Sequence, residues 1–454
     1  FRLVQGLADR AEIDGLADAV LTHDRPIGVP CEDSVVTLDD LGHEVPLRRS
    51  RGYAPLPVTV DLQSGEALLA TGGDLKTTFC LMAGAGGPLG RRHAHLSSHL
   101  GDMADPRTQA AFESALDHLA FMAGQHPAAI ACDMHPGYAT TGWARRRAAG
   151  RPVIAVQHHH AHAVSLLADH GRLGTPMLAL TYDGTGYGSD GTIWGGELLV
   201  VTDPAEFTRV GHLAPFALPG GDGAVRQPAR IALDLLTRAG IDWAEDLAPV
   251  AAVGQDGAHV LAQQIPRGVG CVATTSMGRL FDAVASLLGV CQQVSYEGQA
   301  AIELEHLARA GRVDPRVATR LAAGAAPLDF DVNGGLLDPA PVIAGIVAAL
   351  RAGTGPADLA AGFHAAVVRA TARAARHCAD TAGIRTIGLT GGVFANRILL
   401  HGLRESLTKS GYEVLTHRIV PCNDGGLALG QATIAAARLV RERTGACASE
   451  SPAR

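Results

Sequence analysis

Three glycine-rich turns constrain the fold of this chain more than any other feature. They lie at residues 71–74, 183–188 and 390–393, and each follows a short apolar run that is typical of a buried strand. A glycine-rich turn after a strand can bring backbone N–H groups close to a phosphate. A single Gly-Gly pair is more often an ordinary turn, but three such turns together favour a phosphate-binding site.

Strands and helices alternate along the rest of the chain. Strands are predicted at residues 68–70, 128–132, 153–156, 177–183, 193–202, 386–389 and 413–416, with 177–183 and 193–202 forming a hairpin. Residues 220–375 are predicted to be mostly helical. Strands that begin and end each half, separated by helices, predict a duplicated α/β fold. Three glycine turns that converge on one cleft are typical of actin-like (ASKHA, ribonuclease H-like) nucleotide-binding folds.

Composition excludes several classes of protein. The 454 residues are 47% apolar and 18% charged, which predicts two or three folded domains rather than a disordered chain. A net charge of −7 without a long basic block argues against nucleic acid as a partner. No apolar run is long enough to predict a membrane span, and no signal peptide opens the chain. Eight scattered cysteines without a Cys-x-x-Cys pair indicate reduced thiols and a cytoplasmic protein.

A histidine cluster at residues 158–162 predicts a metal site. His158 and His162 are four residues apart, so both imidazoles lie on one face of a helix. Asp183 and Asp424 lie at a strand end and a helix start, where a carboxylate can face a cleft. Two imidazoles and two carboxylates suit Fe(II), Zn(II) or Mn(II). The alternatives are a surface histidine cluster and, for Asp424, a simple helix N-cap.

Four further residues are candidates for catalysis or nucleotide binding. His159 and His160 are predicted as acid–base catalysts or as supports of the metal ligands, with ordinary buried polar contacts as the alternative. Lys76 follows the first glycine turn and could neutralise phosphate charge. Asp282, on a helix with an apolar face, is a candidate for ribose hydroxyls, with an exposed helix charge as the alternative. No P-loop and no Gly-x-Ser-x-Gly elbow is present, which disfavours both chemistries.

Many ordered motifs give the chain a family resemblance. It resembles the HypF family of hydrogenase-maturation carbamoyltransferases from residue 1 to about 440. The motifs that carry this resemblance lie at residues 23–27 (HDRPI), 33–36, 48–55 (RRSRGYAP), 98–102, 132–136, 156–162, 182–188, 191–197, 276–283, 296–305, 390–397 and 423–431.

The resemblance implies a domain organisation. Residues 1–60 would be the C-terminal remnant of a YrdC-like α/β domain. Residues 61–445 would form a TsaD-like carbamoyltransferase domain with two actin-like halves and the helical insertion, followed by a disordered tail at 446–454. The zinc-finger pair of the family would be absent from this chain, and the YrdC-like Ser-x-Asn motif would precede residue 1. Phe1, in place of Met, indicates that the chain begins inside a longer polypeptide.

The resemblance also implies a reaction. Carbamoyl phosphate and ATP would give carbamoyl-adenylate, and the carbamoyl group would pass to the C-terminal cysteine of HypE, where it becomes a cyanide ligand of the NiFe site. The implied metal ligands are His158, His162, Asp183 and Asp424. The implied nucleotide contacts are Gly184, Thr185, Asp282, Gly391, Gly392 and Asn396.

Two other functions remain open from the sequence. Antibiotic O-carbamoyltransferases and tRNA-threonylcarbamoyl transferases share the TsaD-like architecture, although the motifs at 23–27 and 48–55 favour HypF over both. A non-catalytic, nucleotide-binding fragment that docks HypE is an alternative of a different class.

Overall fold

The chain folds into two compact units. The computed structural model describes residues 18–19, 31–39, 41–62, 65–84, 91–311 and 328–449, with side chains described to residue 443. Of these, the first unit takes residues up to 38, residues 42–156 and residues from 418 onward, and the second takes residues 39–41 and 157–417. The HDRPI motif lies outside the described residues.

The strands and helices of the described residues alternate as the sequence predicts. The strands are β1 (Val35–Leu38), β2 (Glu44–Arg48), β3 (Val58–Val60), β4 (Leu68–Ala70), β5 (Cys80–Met82), β6 (Arg92–Leu96), β7 (Ala129–Asp133), β8 (Val153–Val156), β9 (Met177–Tyr187), β10 (Ile193–Asp203), β11 (Glu206–Leu213), β12 (Phe216–Pro219), β13 (Cys271–Thr274), β14 (Asp331–Asn333), β15 (Leu336–Asp338), β16 (Thr386–Thr390) and β17 (Glu413–Leu415). The α-helices are α1 (Pro106–Ala123), α2 (Ala139–Arg146), α3 (His158–Asp169), α4 (Asp222–Arg226), α5 (Pro228–Arg238), α6 (Ala248–Arg267), α7 (Met277–Leu287), α8 (Gln299–Ala310), α9 (Ala340–Arg351), α10 (Pro356–Ala382), α11 (Arg397–Lys409) and α12 (Leu427–Ser449). Two 3₁₀ turns lie at Gly392–Ala395 and Asp424–Gly426.

The first unit is built on a six-stranded sheet in the order β3-β6-β5-β4-β7-β8. Strands β6, β5 and β4 are antiparallel neighbours, whereas β7 and β8 continue the sheet parallel to β4. Helix α1 packs its apolar face on this sheet, where the ring of Phe112 lies 5.1 Å from that of Phe79 and 4.8 Å from that of Trp143. These buried aromatic rings form the centre of the core of the unit.

The second unit has a larger sheet, with the order β14-β15-β11-β10-β9-β16-β17 along its main path. Strands β11, β10 and β9 are antiparallel neighbours, and β16 and β17 run parallel to β9. The first six residues of β9 are all buried, as expected for a central strand that is covered on both faces. Helix α3 packs against β9 and β10.

The two sheets repeat one pattern of three antiparallel strands followed by two parallel strands. The pattern is β6-β5-β4-β7-β8 in the first unit and β11-β10-β9-β16-β17 in the second. The predicted duplicated, actin-like α/β fold is therefore confirmed. Between β11 and β16 the described residues form α4 to α10 and four short strands, so the mostly helical character of residues 220–375 is also confirmed.

The predicted domain boundaries after residues 60 and 445 fall within a sheet and a helix of the structure, respectively. A boundary after residue 60 would separate β3 from β6, its antiparallel partner in the six-stranded sheet, because that sheet begins at Val58. The prolines at 46, 55 and 57 precede this strand rather than follow it. Helix α12 extends to Ser449, and residues 450–454 lie outside the described residues, so the disordered tail at 446–454 stays a prediction. The assignment of residues 1–60 to a YrdC-like remnant remains a prediction.

In the described part of the chain, no helix is both long enough and apolar enough to cross a lipid bilayer.

Candidate functional site

Helix α3 presents the two predicted imidazole ligands. The side-chain oxygen of Gln157 accepts a hydrogen bond from the His160 backbone N–H at 2.8 Å, which caps the first turn. His158 and His162 then fall one helical turn apart, with ring centroids separated by 5.0 Å. Both side chains are buried. The alternative of a surface histidine cluster is therefore wrong.

Asp183 of β9 lies directly against both rings. Its Oδ2 atom is 3.3 Å from His158 Nε2 and 3.1 Å from His162 Nε2. Ligand atoms around a tetrahedral zinc ion with ordinary bond lengths are about 3.3 Å apart. The spacing of these three groups therefore fits a small divalent cation, and their ligand atoms all lie within 4.8 Å of one another.

The second carboxylate oxygen of Asp183 is held by backbone donors. The N–H of Gly184 donates to Oδ1 at 2.8 Å, and the N–H of Gly392 donates to the same oxygen at 3.3 Å. Two of the glycine turns that the sequence assigned to phosphate thus meet at a carboxylate. In this structure these two N–H groups orient Asp183.

The electrostatics of Asp183 favour the charged form. Burial by itself raises the pKa of the Asp183 carboxyl, but hydrogen bonds from the His158 and His162 rings outweigh burial and hold that pKa well below its ordinary value. A carboxylate accepts hydrogen bonds only, so both Nε2 atoms carry protons in this arrangement. A bound cation would replace those protons, which is the usual exchange at an imidazole–carboxylate site.

Gly186 explains why the strand can approach the imidazoles. A Cβ atom at this position would lie 2.5 Å from His159 Cε1 and 2.8 Å from His158 Cδ2. The absence of a side chain is therefore a packing requirement of the histidine cluster. The glycine at 186 in the Asp-Gly-Thr-Gly turn thus leaves room for the rings of His158 and His159.

Helix α7 closes over the same turn. Ser276 caps the helix by accepting from the Arg279 N–H at 3.1 Å, and its hydroxyl lies 2.8 Å from the Asp183 carbonyl oxygen. A Cβ at Gly278 would lie 2.9 Å from the Gly184 Cα, so the helix and the turn are in close contact. The start of α7 therefore fixes the backbone that carries Asp183.

Asp282 is neither an exposed charge nor an isolated acid. It is 2% exposed, and its carboxylate lies 3.1 Å from the guanidinium of Arg279 one turn earlier. Burial raises the pKa of the Asp282 carboxyl, and the nearby Arg279 charge opposes that rise. The exposed-helix alternative is wrong, and no observation tests a ribose contact.

The two histidines between the ligands are fully buried. The ring of His159 lies 6.1 Å from that of Trp194, and the ring of His160 lies 4.9 Å from that of Phe207. A general acid or base must reach the proton that it transfers. Zero exposure of both side chains therefore gives no support to their predicted acid–base role.

Asn396 has both polar ends engaged within the second unit. Its Oδ1 atom accepts from the Leu399 N–H at 3.2 Å and so caps α11, and its Nδ2 atom lies 3.0 Å from His364 Nε2. This geometry supports a helix-capping role instead of the predicted nucleotide contact.

Two further predicted residues, Asp424 and Lys76, belong to the first unit. Asp424 begins a 3₁₀ turn whose cap is Asn423, so the N-cap alternative for Asp424 is wrong. A Cβ atom on Gly73 would lie 2.9 Å from Asp424 Oδ2. The missing side chain in the first glycine turn therefore leaves space for this carboxylate. Lys76 is partly exposed, and its charge contributes to a lowered pKa at His99.

Sequence reasoning missed a buried carboxylate beside the site. Glu197 of β10 has no exposure, accepts from the N–H groups of Gly195 and Gly196 at 3.2 Å each, and also contacts Thr275. Arg209 pairs with it at 2.6 Å. The available signal in the sequence was an acidic residue within an otherwise apolar strand. Such a residue predicts a buried ion pair or hydrogen-bond network, because a buried charge requires a partner.

Family models match both units of the chain. A model described as the HypF Kae1-like domain matches residues 63–169. A second model, described as the second subdomain of the Kae1-like carbamoyltransferase domain, matches residues 179–431.

Individual relatives differ in how much of their own length is matched. Carbamoyltransferase HypF2 of Cupriavidus necator is 39% identical over 96% of this chain and 55% of its own length. A carbamoyltransferase HypF homolog of the same organism is 38% identical over 85% of this chain and 94% of its own length. A solved structure of full-length HypF in a phosphate- and nucleotide-bound form has a TM-score of 0.81 and 35% identity, covering 92% of this chain and 52% of that one. The chain thus spans about half the length of HypF2 and of the solved protein, and nearly all of the shorter homolog.

Proposed function

Because the chain belongs to the HypF carbamoyltransferase family, we propose that it transfers a carbamoyl group from carbamoyl-adenylate to a thiol. The site is built on His158, His162 and Asp183. One observation carries the proposal: two imidazole Nε2 atoms converge on a single carboxylate oxygen, 3.3 and 3.1 Å away. This arrangement has the chemistry of a metal site and lies beside glycine turns that a nucleotide could approach.

The proposed cation is held by neutral imidazole nitrogens and charged carboxylate oxygens. His158, His162 and Asp183 supply three ligands, and Asp424 is proposed as the fourth from its sequence motif and the family resemblance. When bound, the ion would supply Lewis-acid polarisation of a carbonyl or phosphoryl oxygen. The donor set suits Fe(II), Zn(II) or Mn(II).

The nucleotide is proposed to lie against the glycine turns of the second unit. Gly184, Thr185 and Gly392 are partly exposed, and the adjoining Gly391 is buried with φ +100. A Cβ on Gly391 would lie 2.2 Å from the Tyr182 carbonyl oxygen, so only glycine fits the turn. Asp282 is the proposed ribose acceptor, and Lys76 of the first unit is proposed to neutralise phosphate charge.

The proposed transfer exchanges one bond at the carbamoyl carbon. The acceptor thiol first loses its proton to solvent, because the thiolate is the nucleophile. The sulfur then bonds to the carbamoyl carbon as the bond to the adenylate phosphate oxygen breaks, and AMP leaves with that oxygen. The task of the residues described above is to hold the donor in place and to keep its carbonyl near the histidine–aspartate cluster.

We propose the wider reaction on the basis of family membership. Carbamoyl phosphate and ATP would supply carbamoyl-adenylate, and the acceptor would be the C-terminal cysteine of HypE in the cytoplasm, in a step towards the cyanide ligands of a NiFe hydrogenase.

Mass spectrometry of the acceptor tests the proposal. The chain is mixed with carbamoyl-adenylate and HypE, and the expected result is the mass increase of one carbamoyl group on the HypE C-terminal peptide. His158→Ala should abolish both the transfer and the bound metal. His118→Ala removes an exposed histidine of α1 and serves as the matched control.

Three outcomes would change the conclusion. Transfer that persists after complete metal removal would overturn the Lewis-acid role. Absence of transfer from a protein with bound metal and nucleotide would favour a HypE-docking module. Carbamoylation of a small-molecule hydroxyl in place of HypE would favour an O-carbamoyltransferase.

A further inference from the structure

A buried threonine connects the second imidazole ligand to a glycine turn. Thr390, the last residue of β16, has no exposure. Its Oγ1 atom lies 3.3 Å from the backbone carbonyl oxygen of His162 and 2.8 Å from His417 Nε2. The hydroxyl has one proton and two lone pairs, so it can bridge a carbonyl and an imidazole at the same time.

The other side of His417 faces a carboxylate. His417 Nδ1 lies 3.6 Å from Asp169 Oδ2, and both side chains are almost completely buried. At 3.6 Å this is a close polar contact rather than a hydrogen bond.

The chain of contacts therefore begins and ends on one helix. Asp169 is the last residue of α3 and His162 lies in its middle, whereas Thr390 and His417 come from segments more distant in sequence. All four residues belong to the second unit. The contacts hold α3 at two points against the end of β16.

The same threonine leads into the turn that holds Asp183. Gly391 follows it, and the N–H of Gly392 donates to Asp183 Oδ1 at 3.3 Å. A shift of Thr390 would therefore move His162 through its own backbone and Asp183 through the turn.

We propose that Thr390 and His417 are positioning residues that set the mutual geometry of His162 and Asp183, and thereby the affinity of the site for its cation. This inference rests on the metal site of the proposed function. Groups that orient metal ligands typically change metal affinity about 10–100-fold when they are removed. Neither residue needs to contact the cation or the substrate.

The test compares valine substitutions at two threonines of one strand. Thr390→Val removes the bridging hydroxyl and keeps the shape of the side chain. Thr386→Val is the matched control, because Thr386 is also buried in β16 and its hydroxyl donates to Glu413 Oε2 at 3.0 Å, away from α3. Zn(II) affinity is measured by chelator competition, and the ligand geometry by the visible absorption spectrum of the Co(II)-substituted protein.

Thr390→Val is expected to weaken Zn(II) binding about tenfold or more, while Thr386→Val and Thr390→Ser stay within about threefold of the wild type. The Co(II) spectrum should change only in Thr390→Val. A purely structural role would lower the Tm of both valine variants and leave affinity and spectrum unchanged, which would overturn the inference.

His417→Gln provides a second, independent variant. An amide can still bond Thr390 but lacks the ring nitrogen that faces Asp169, so an intermediate loss of Zn(II) affinity is expected. If the wild type binds Zn(II) tightly and both Thr390→Val and His417→Gln bind equally well, the positioning role alone is overturned. If the wild type binds no metal and His158→Ala changes nothing, the metal site of the proposed function fails and this inference fails with it.

Discussion

The two units share one strand order but differ in the length of their central strands. In the first unit β4 and β5 have three residues each, whereas the corresponding β9 and β10 of the second unit have eleven each. The last residues of β9 lie against the start of α3, where Gln157 Nε2 donates to the Tyr187 carbonyl oxygen at 3.1 Å. The second unit therefore places Asp183 inside a long strand, at an irregularity in its pairing with β10, whereas the first unit turns away after Ala70.

Two acidic residues show what this difference does, Asp74 in the turn after β4 and Asp183 within β9. Asp74 of the first unit accepts from the N–H groups of Ala139 and Thr140, at 2.8 and 3.0 Å, and from the Thr140 hydroxyl. It serves the start of helix α2. Asp183 accepts from two imidazoles instead. An aspartate beside a glycine-rich turn thus supports a helix start in the first unit and is a predicted metal ligand in the second.

The largest expected effect distinguishes Asp183 from Asp74. Asp183→Asn should weaken Zn(II) binding by at least about 100-fold, because it removes a charged ligand rather than a group that orients one. Asp74→Asn should leave Zn(II) affinity unchanged and lower the free energy of unfolding by about 1–3 kcal/mol, because an amide N–H₂ would face backbone donors. Chelator competition and urea unfolding measure the two effects. Equal losses of affinity would show that the two carboxylates are not functionally distinct.

Glycines in the two turns give the next contrast. A Cβ at Gly72 would lie 2.1 Å from the Thr78 carbonyl oxygen at φ +72, whereas a Cβ at Gly186 would meet imidazole carbon atoms. Gly72→Ala should destabilise the protein by about 1–3 kcal/mol or more, because backbone atoms must move. Gly186→Ala should chiefly displace the rings of His158 and His159. We expect Gly186→Ala to lower Zn(II) affinity with little change in Tm. We expect Gly72→Ala to lower Tm with little change in Zn(II) affinity.

His99 of the first unit lies near positive charges, whereas His158 and His162 of the second unit face the Asp183 carboxylate. Burial lowers the pKa of the His99 imidazole to about 4, with help from the charges of Arg48 and Lys76. The unfolded chain takes up this proton near its ordinary pKa of 6.5, and the folded protein takes it up only near 4. Stability contributed by neutral His99 is therefore present above pH 6.5 and is lost as the pH falls from 6.5 to 4. In this window Asp183 remains charged, because its pKa lies well below the ordinary value.

Acid unfolding of a His99→Gln variant checks this assignment. The wild type should lose of order 2 kcal/mol more stability than the variant between pH 6.5 and pH 4, after allowance for the partial exposure of the ring. Urea unfolding at several pH values measures the difference. Parallel pH profiles for the two proteins would contradict a depressed pKa at His99.

Local pattern was sufficient for β4, β7 to β10, β16 and β17 and for naming His158, His162 and Asp183 as candidates, but it gave no sign of β3, β6 or β11 to β15. His158 and His162 have helical spacing, and Asp183 ends an apolar run, so each carries its own signal in the sequence. Thr390 and His417 carry none: a single threonine and a single histidine acquire a role only when β16 lies beside α3. Their contact depends on a parallel strand pairing between β9 and β16 over a long sequence separation, which no local pattern encodes.

The glycines were assigned to a less specific role than the structure gives them. The sequence predicted phosphate contacts for Gly184 and Gly392, but their N–H groups donate to Asp183. A glycine-rich turn indicates that its backbone atoms lie close to another group, but it does not identify that group. Here the partners are a carboxylate and two imidazoles that the chain itself supplies.

Substitutions of helix caps in the two units are expected to have the smallest effect on stability. Asp105 caps α1 by accepting from the Arg107 N–H at 2.8 Å, and Asn396 caps α11 by accepting from the Leu399 N–H. Replacing either cap by alanine should cost about 0.5–2 kcal/mol of stability. Asn396→Ala should fall at the upper end, since it also removes the contact with His364. Nucleotide affinity, measured by calorimetry, should stay within about twofold in both variants because neither change alters the glycine turns. A selective loss of nucleotide binding in Asn396→Ala would instead restore the nucleotide contact that the sequence predicted for this residue, and would mean that its amide exchanges the His364 partner for the ligand.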